Sequence, residues 1–158
     1  MGQLVSREEL VKIRQQARRQ GQTVVFTNGC FDLLHRGHVE YLGEARKQGD
    51  LLVVGLNSDR SMRKLKGPQR PLIAQADRAK VLAALEMVDY ICIFDEETPA
   101  RLIQSVVPDV LVKGGDYQEE DIVGRDTVRA AGGRVVVVPL VEGFSTKDLI
   151  EKICQRYC

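Results

Sequence analysis

Both histidines of this chain lie in one stretch, Thr27-Asn28-Gly29-Cys30-Phe31-Asp32-Leu33-Leu34-His35-Arg36-Gly37-His38. They stand three residues apart with a glycine just before the second. An apolar run, Val24-Val25-Phe26, precedes the stretch, and a helix-like run from Val39 to Lys47 follows it. A strand that ends in a glycine-bearing turn and feeds a helix start is an anion site, because backbone N–H groups and the positive end of the helix dipole point outward there. At one helical turn's spacing, His35 and His38 face the same way and offer imidazole N–H donors to phosphate oxygens. The pattern suggests chemistry on a phosphate. A zinc pair is the weaker reading, since no third histidine and no well-spaced cysteine accompanies them. Gly29 and Gly37 lack dinucleotide-fingerprint spacing, and there is no Walker loop.

The elements that must hold this turn are readable around it. Short, β-branched apolar runs recur at Thr23–Thr27, Leu51–Leu56, Tyr90–Phe94, Val110–Lys113 and Arg134–Pro139, as expected of strands buried on both faces of a parallel sheet. Helical segments alternate with them. Ser6-Arg7-Glu8-Glu9 reads as a capping box opening a helix to about Arg19, with Leu10, Ile13 and Ala17 on one face. Asp77 opens an Ala-rich helix to Met87 with Val81, Leu82 and Leu85 inward. Thr98-Pro99 reads as an N-cap with proline at the first helical position, and Pro108 lies beyond that helix's stop. Gly132-Gly133 ends a helix before the last strand, and Ser145-Thr146-Lys147-Asp148 opens a final one. The alternation predicts an α/β, Rossmann-like, doubly wound, five-stranded parallel sheet forming a single domain over residues 1–158.

Ligands of such sheets bind at the carboxyl ends of the strands, near the topological switch point. Besides the histidine turn, that rim receives Asn57-Ser58-Asp59 with the basic stretch Arg63-Lys64-Leu65-Lys66-Gly67, then Lys113-Gly114-Gly115-Asp116-Tyr117, then Glu142-Gly143-Phe144-Ser145-Thr146-Lys147. The basic stretch and Arg70 form either a solvated face or a flap closing over phosphates. Lys113-Gly114-Gly115-Asp116 is either a plain turn or a place where backbone approaches a ligand, with Tyr117 stacking on a base or merely packing. Ser145 and Thr146 serve as caps and, compatibly, as a second anion site that would bracket a triphosphate. Lys12, Arg14, Arg18 and Arg19 read as a solvated basic face.

Composition bounds these readings. A length of 158 residues, 44% hydrophobic and 28% charged, is that of an ordinary globular domain. A net charge of +1 gives no bulk field for nucleic acid or membrane partners. No apolar run approaches the roughly 18 residues of a membrane span, and no signal peptide opens the chain. Cys30, Cys92, Cys154 and Cys158 have no zinc-ligand spacing; a reduced, cytoplasmic chain is expected, with a Cys154–Cys158 bridge as the alternative.

His35-Arg36-Gly37-His38 after Asn28-Gly29-Cys30-Phe31-Asp32 resembles the His-x-Gly-His signature of the nucleotidyltransferase superfamily. Glu142-Gly143-Phe144-Ser145-Thr146-Lys147 resembles its second signature. Together with Gly55-Leu56-Asn57-Ser58-Asp59, Leu65-Lys66-Gly67-Pro68 and Val112-Lys113-Gly114-Gly115-Asp116-Tyr117, they make the chain similar, from about Leu4 to Ile153, to the heptose 1-phosphate adenylyltransferases. Glycerol 3-phosphate cytidylyltransferases are also similar, but their second signature begins with arginine where this chain has Leu140 or Val141, and they carry tryptophan where it has Tyr117.

The resemblance implies an HxGH-type fold in which ATP and a heptose 1-phosphate yield ADP-heptose and pyrophosphate, a step toward lipopolysaccharide core or another surface glycan. It implies His35 and His38 on the triphosphate, His38 closest to the reacting α-phosphate. Lys66 and Lys64 neutralise phosphates, and Ser145 and Thr146 hold the β and γ groups. Asp32 and Asp116 position ribose, substrate or a metal-bound water, and Arg78 is a further phosphate ligand. Asn28, Gly29, Cys30, Phe31, Gly37, Lys113, Gly114, Gly143 and Phe144 complete the expected binding set. Mg²⁺ is expected on the ATP phosphates, with no protein metal ligand. A homo-oligomer is expected. In many bacteria this domain is fused to a sugar kinase; this chain looks like the free-standing form, with the kinase on a separate chain.

Overall fold

A computed structural model describes residues 1–115, 117–139, 141 and 143–157. Six parallel strands form one sheet: β1 (Gln3–Leu4), β2 (Val24–Gly29), β3 (Leu51–Asn57), β4 (Tyr90–Phe94), β5 (Val110–Gly114) and β6 (Arg134–Val138). Their order is β1-β4-β3-β2-β5-β6. Five of the six were predicted from their apolar runs. The sixth, β1, is two residues pairing Gln3 with Tyr90 and Leu4 with Ile91, too short to leave a periodic signal.

Residues along β2 alternate between two cores, as period-2 side-chain geometry requires. Val25 joins Leu42, Leu52, Val54 and Leu82 on one face; Val24 and Phe26 join Leu10, Phe94, Leu102 and Leu111 on the other. The first core is covered by α2 (Arg36–Arg46) and α4 (Gln75–Ala83), the second by α1 (Arg7–Arg19), α5 (Ala100–Val106) and α6 (Arg125–Ala130). The remaining helices are α3 (Asp59–Lys66) and α7 (Thr146–Tyr157). The chain runs outward from β2 to β3 and β4, then returns to lay β5 against the other edge of β2, pairing Val25 with Val110 and Phe26 with Leu111. The switch point therefore lies between β2 and β5, at the carboxyl end of the strand that carries the histidine turn.

Ser6 forms the expected capping box with Glu9, and α1 ends at Arg19. Other boundaries moved. The basic residues Arg63, Lys64 and Lys66 lie on the last turns of α3, not in a loop. Ser58 caps that helix by accepting from the Ser61 amide at 3.0 Å, and Gly67, at φ +97°, ends it. Only Met62 of this helix is a large buried apolar residue, so its periodicity was faint. Helix α4 begins at Gln75 and ends at Ala83, and Val81 faces solvent at 49% exposure. Pro99 is the cap of α5 rather than its first helical residue, its carbonyl accepting from the Ile103 amide. Arg14 is buried rather than part of a solvated face. Its guanidinium donates to the Val107 carbonyl at 2.9 Å and to Asp109 at 2.6 Å. Cys158 lies outside the described residues, as do Leu140 and Glu142. No described helix is long and apolar enough to cross a membrane.

Candidate active site

Helix α2 is anchored at the switch point by one side chain. The Tyr41 hydroxyl shares a 2.5 Å hydrogen bond with Thr27 Oγ1 on β2 and donates to the Val112 carbonyl on β5. Both partners sit at the centre of the sheet, so the start of α2 is fixed against the rim. His35 is the cap residue of α2 and makes no side-chain capping bond. The first-turn donors are therefore not covered by a protein oxygen from that side chain.

His35 and His38 stack, their ring centroids 3.8 Å apart and 24° from parallel. The Nδ1 atoms of both are buried without a described partner. Burial, and then the neighbouring His35 ring, push the pKa of His38 down to about 4. Burial also lowers His35, with Asp148 opposing. Both imidazoles are thus neutral near pH 7. Because the folded value of His38 lies below the usual 6.5, its contribution to stability is present above pH 6.5 and is lost as pH falls toward 4. His38→Gln is accordingly expected to lose less thermal stability than the wild type between pH 7 and about 4.5. Parallel melting curves for the two proteins would contradict it.

The second signature meets the first at Gly37. A Cβ there would stand 3.1 Å from two atoms of the His35 ring and 3.2 Å from Phe144 Cβ, so any side chain would press these neighbours by a few tenths of an ångström. The Arg36 guanidinium lies over the Phe144 ring, 5.6 Å from its centroid. Ser145 caps α7 by accepting from the Asp148 amide at 3.0 Å, which leaves its own O–H to donate elsewhere.

A cleft of about 740 Å³ opens between these turns. It brings together Asn28, Gly29, Cys30, Phe31, Asp32, His38, Lys66, Lys113, Ser145 and Thr146 of the expected set. His35 is stacked on His38 but does not line the cleft, nor do Gly37, Gly114, Gly143 and Phe144. Lys64 does not line the cleft itself but pairs at 3.3 Å with Glu97, which does. Asp116 lies outside the described residues. Lys113 crosses the switch point to donate to Asn28 Oδ1 at 3.2 Å, and burial lowers its pKa. Its ammonium also lies over the Tyr117 ring, 5.8 Å from the centroid. Burial likewise raises the Cys30 thiol, against Lys66, Arg78 and Arg70, which keeps it protonated.

Two expected ligands have other work. Arg78 is fully buried and does not reach the cleft. Its guanidinium donates to the carbonyls of Cys30, Ile73 and Asn57 and pairs with Asp59 at 2.8 Å. It is a bracket joining the loops after β2 and β3 to the segment before α4, not a phosphate ligand. The Asp32 carboxylate accepts from the Leu72 and Ile73 amides and from Arg70 Nε at 2.6 Å. Burial alone would raise its pKa; those donors outweigh it and hold the group below the usual carboxylate range. With its oxygens so engaged, Asp32 anchors the 67–74 loop and presents Arg70 to the cleft rather than reading ribose itself.

The cleft also has a lip that sequence reading missed: Glu97, Thr98 and Pro99 after β4, and Asp121, Ile122 and Val123 after β5. The first group was read only as a helix start, although it follows a strand's carboxyl end and was legible on that ground. The second follows no strand directly and left no signal. No group of three or more potential metal ligands occurs among the described residues.

The parallel sheet, the histidine turn at its switch point and the paired helix start define a nucleotidyltransferase of the His-x-Gly-His type. The chain belongs to the cytidylyltransferase-like family, whose profile matches residues 26–151. It is 59% identical over 151 residues to the bifunctional protein HldE of Syntrophotalea carbinolica and 55% identical over 152 residues to that of Trichlorobacter lovleyi, covering 96% of this chain each time. It spans 31% of the length of each relative. Among solved structures it is similar to a lipopolysaccharide core biosynthesis protein from Thermoplasma volcanium, 28% identical with a TM-score of 0.63 over 77% of this chain and 98% of the other. The two HldE proteins are bifunctional and about three times as long, so the expectation of a kinase on a separate chain finds no support in them.

Proposed function

We propose that this chain joins MgATP to D-glycero-β-D-manno-heptose 1-phosphate, giving ADP-heptose and pyrophosphate, in the cytoplasm and for lipopolysaccharide core or surface-glycan synthesis. The observation that carries this is the neutral histidine pair facing a cationic cleft between two helix starts. The similarity to a lipopolysaccharide core biosynthesis protein from Thermoplasma volcanium supports the pathway.

The nucleophile is a phosphate oxygen that is already anionic at neutral pH, so the reaction needs no general base. It needs two anions aligned and the charge on their oxygens stabilised. His38 donates its N–H to the α-phosphate, where charge develops in the transition state. His35 holds the plane of His38 by stacking. Ser145, Thr146 and the α7 amides hold the β and γ phosphates and so help pyrophosphate depart. Lys66, Arg70 and Lys113 supply the cations that let the two substrates approach.

Lys66 is exposed on the end of α3. Lys66→Ala is therefore expected to reduce kcat/KM by about tenfold or more, the scale of losing a charge-assisted hydrogen bond, with the Tm unchanged. A large fall in Tm with full activity would refute this placement. Substrate choice tests the function itself: kcat/KM with ATP should exceed that with CTP by at least about tenfold, and heptose 1-phosphate should outperform glycerol 3-phosphate. The reverse order would instead indicate a cytidylyltransferase acting on a small alcohol phosphate.

A further inference from the structure

Phe31 occupies a backbone conformation that bulky residues avoid, with φ at +45°. The residue is nonetheless only 5% exposed and packed in the core on the α2 side of the sheet. A strained conformation that the surroundings hold in place points to a function for what it positions.

Two neighbours of the ring show what that is. One is Gly29. A Cβ there would lie 2.8, 3.1 and 3.3 Å from Cε2, Cζ and Cδ2 of Phe31, and these are its three nearest neighbours. Gly29 itself has no left-handed φ. A side chain at position 29 is thus opposed by the Phe31 ring rather than by the backbone. The other is His38, its ring centroid 5.2 Å from that of Phe31 and tilted by 60°. His38 stacks on His35, and His35 abuts Gly37. Three rings in sequence are held between two glycines.

We propose that Phe31 is the positioning residue for His38, setting the depth and plane of its imidazole, and that position 29 is glycine to make room for the Phe31 ring. This rests on reading His38 as the donor to the α-phosphate. It differs from the sequence expectation, which placed Gly29 and Phe31 against the nucleotide.

The arrangement is tested with the full chain by Phe31→Leu, Gly29→Ala and the double variant. Each is assayed for pyrophosphate release from MgATP and heptose 1-phosphate, and by NMR titration of the His38 ring without ligand. Phe31→Leu is expected to lower kcat about tenfold, the scale of a modest misplacement of a reacting group, with KM for ATP changed less than about threefold. The His38 titration midpoint should move up toward its ordinary value as the ring that buries it is lost. Gly29→Ala is expected to lower kcat comparably by pressing on the ring. The double variant should be no worse than Phe31→Leu, because the new methyl no longer meets a ring; such non-additivity marks a shared contact.

Additive losses in the double variant would overturn the proposal, because Gly29 would then be acting on its own. So would Phe31→Leu with wild-type kcat and an unmoved His38 midpoint. Should Phe31→Leu not fold, Gly29→Ala decides alone: unchanged turnover and an unchanged His38 resonance would overturn the proposal. A wild-type chain that releases no pyrophosphate refutes the proposed reaction, while the titrations still report on the ring contact.

Discussion

Replacing His38 by alanine is expected to lower turnover by about 10²-fold or more, the scale of removing one transition-state donor, while leaving the fold intact. The size of the effect follows from its surroundings. A neutral imidazole fixed between Phe31 and His35 donates without first reorganising, and a partly dry site strengthens what it donates. The small structural cost follows from the same geometry. His38 Nδ1 has no described partner, so its loss orphans no hydrogen-bonding group. The Tm is expected to move by no more than about 4 °C, equivalent to about 1 kcal/mol in a domain of this size. Near-normal turnover in the folded variant would remove His38 from the reaction.

Arg78→Ala is expected to do the opposite, with stability falling first. The mutation would leave the carbonyls of Cys30, Ile73 and Asn57 without their donor and the Asp59 carboxylate without its ion pair. Breaking a buried charged network of this kind costs about 3–5 kcal/mol, which in a domain of this size lowers the Tm by about 6–20 °C. Arg78→Lys should recover little, since one ammonium cannot reproduce a guanidinium fork aimed at three loops. Thermal denaturation followed by circular dichroism measures the loss. An unchanged Tm with abolished activity would return Arg78 to the phosphate-binding role that its sequence position suggested.

Arg78 also shows where sequence reading stops. The strands were legible because burial on both faces demands apolar runs, and the histidine turn because its glycine and helix start sit at a strand end. The cap of α1 was legible because Ser6 and Glu9 satisfy each other locally. What a charged side chain does once buried depends on partners far away in sequence. Arg78 meets a carbonyl 48 residues distant, Asp32 meets amides 40 and 41 residues distant, and Arg14 meets Asp109 from 95 residues away. None of these distances has a local signature, so each residue looked like a ligand or a solvated charge. The left-handed Phe31 was equally hidden, since strain at a bulky residue arises from the packing around it.

The central claim is that the cleft beneath His38 transfers an adenylyl group to a sugar phosphate. It is tested most directly by continuous measurement of pyrophosphate release after mixing the chain with MgATP and D-glycero-β-D-manno-heptose 1-phosphate. The account predicts release that requires both substrates, yields one ADP-heptose per pyrophosphate, and is lost in His38→Ala. Tight nucleotide binding with no pyrophosphate release would contradict it and leave a binding module on a nucleotidyltransferase fold.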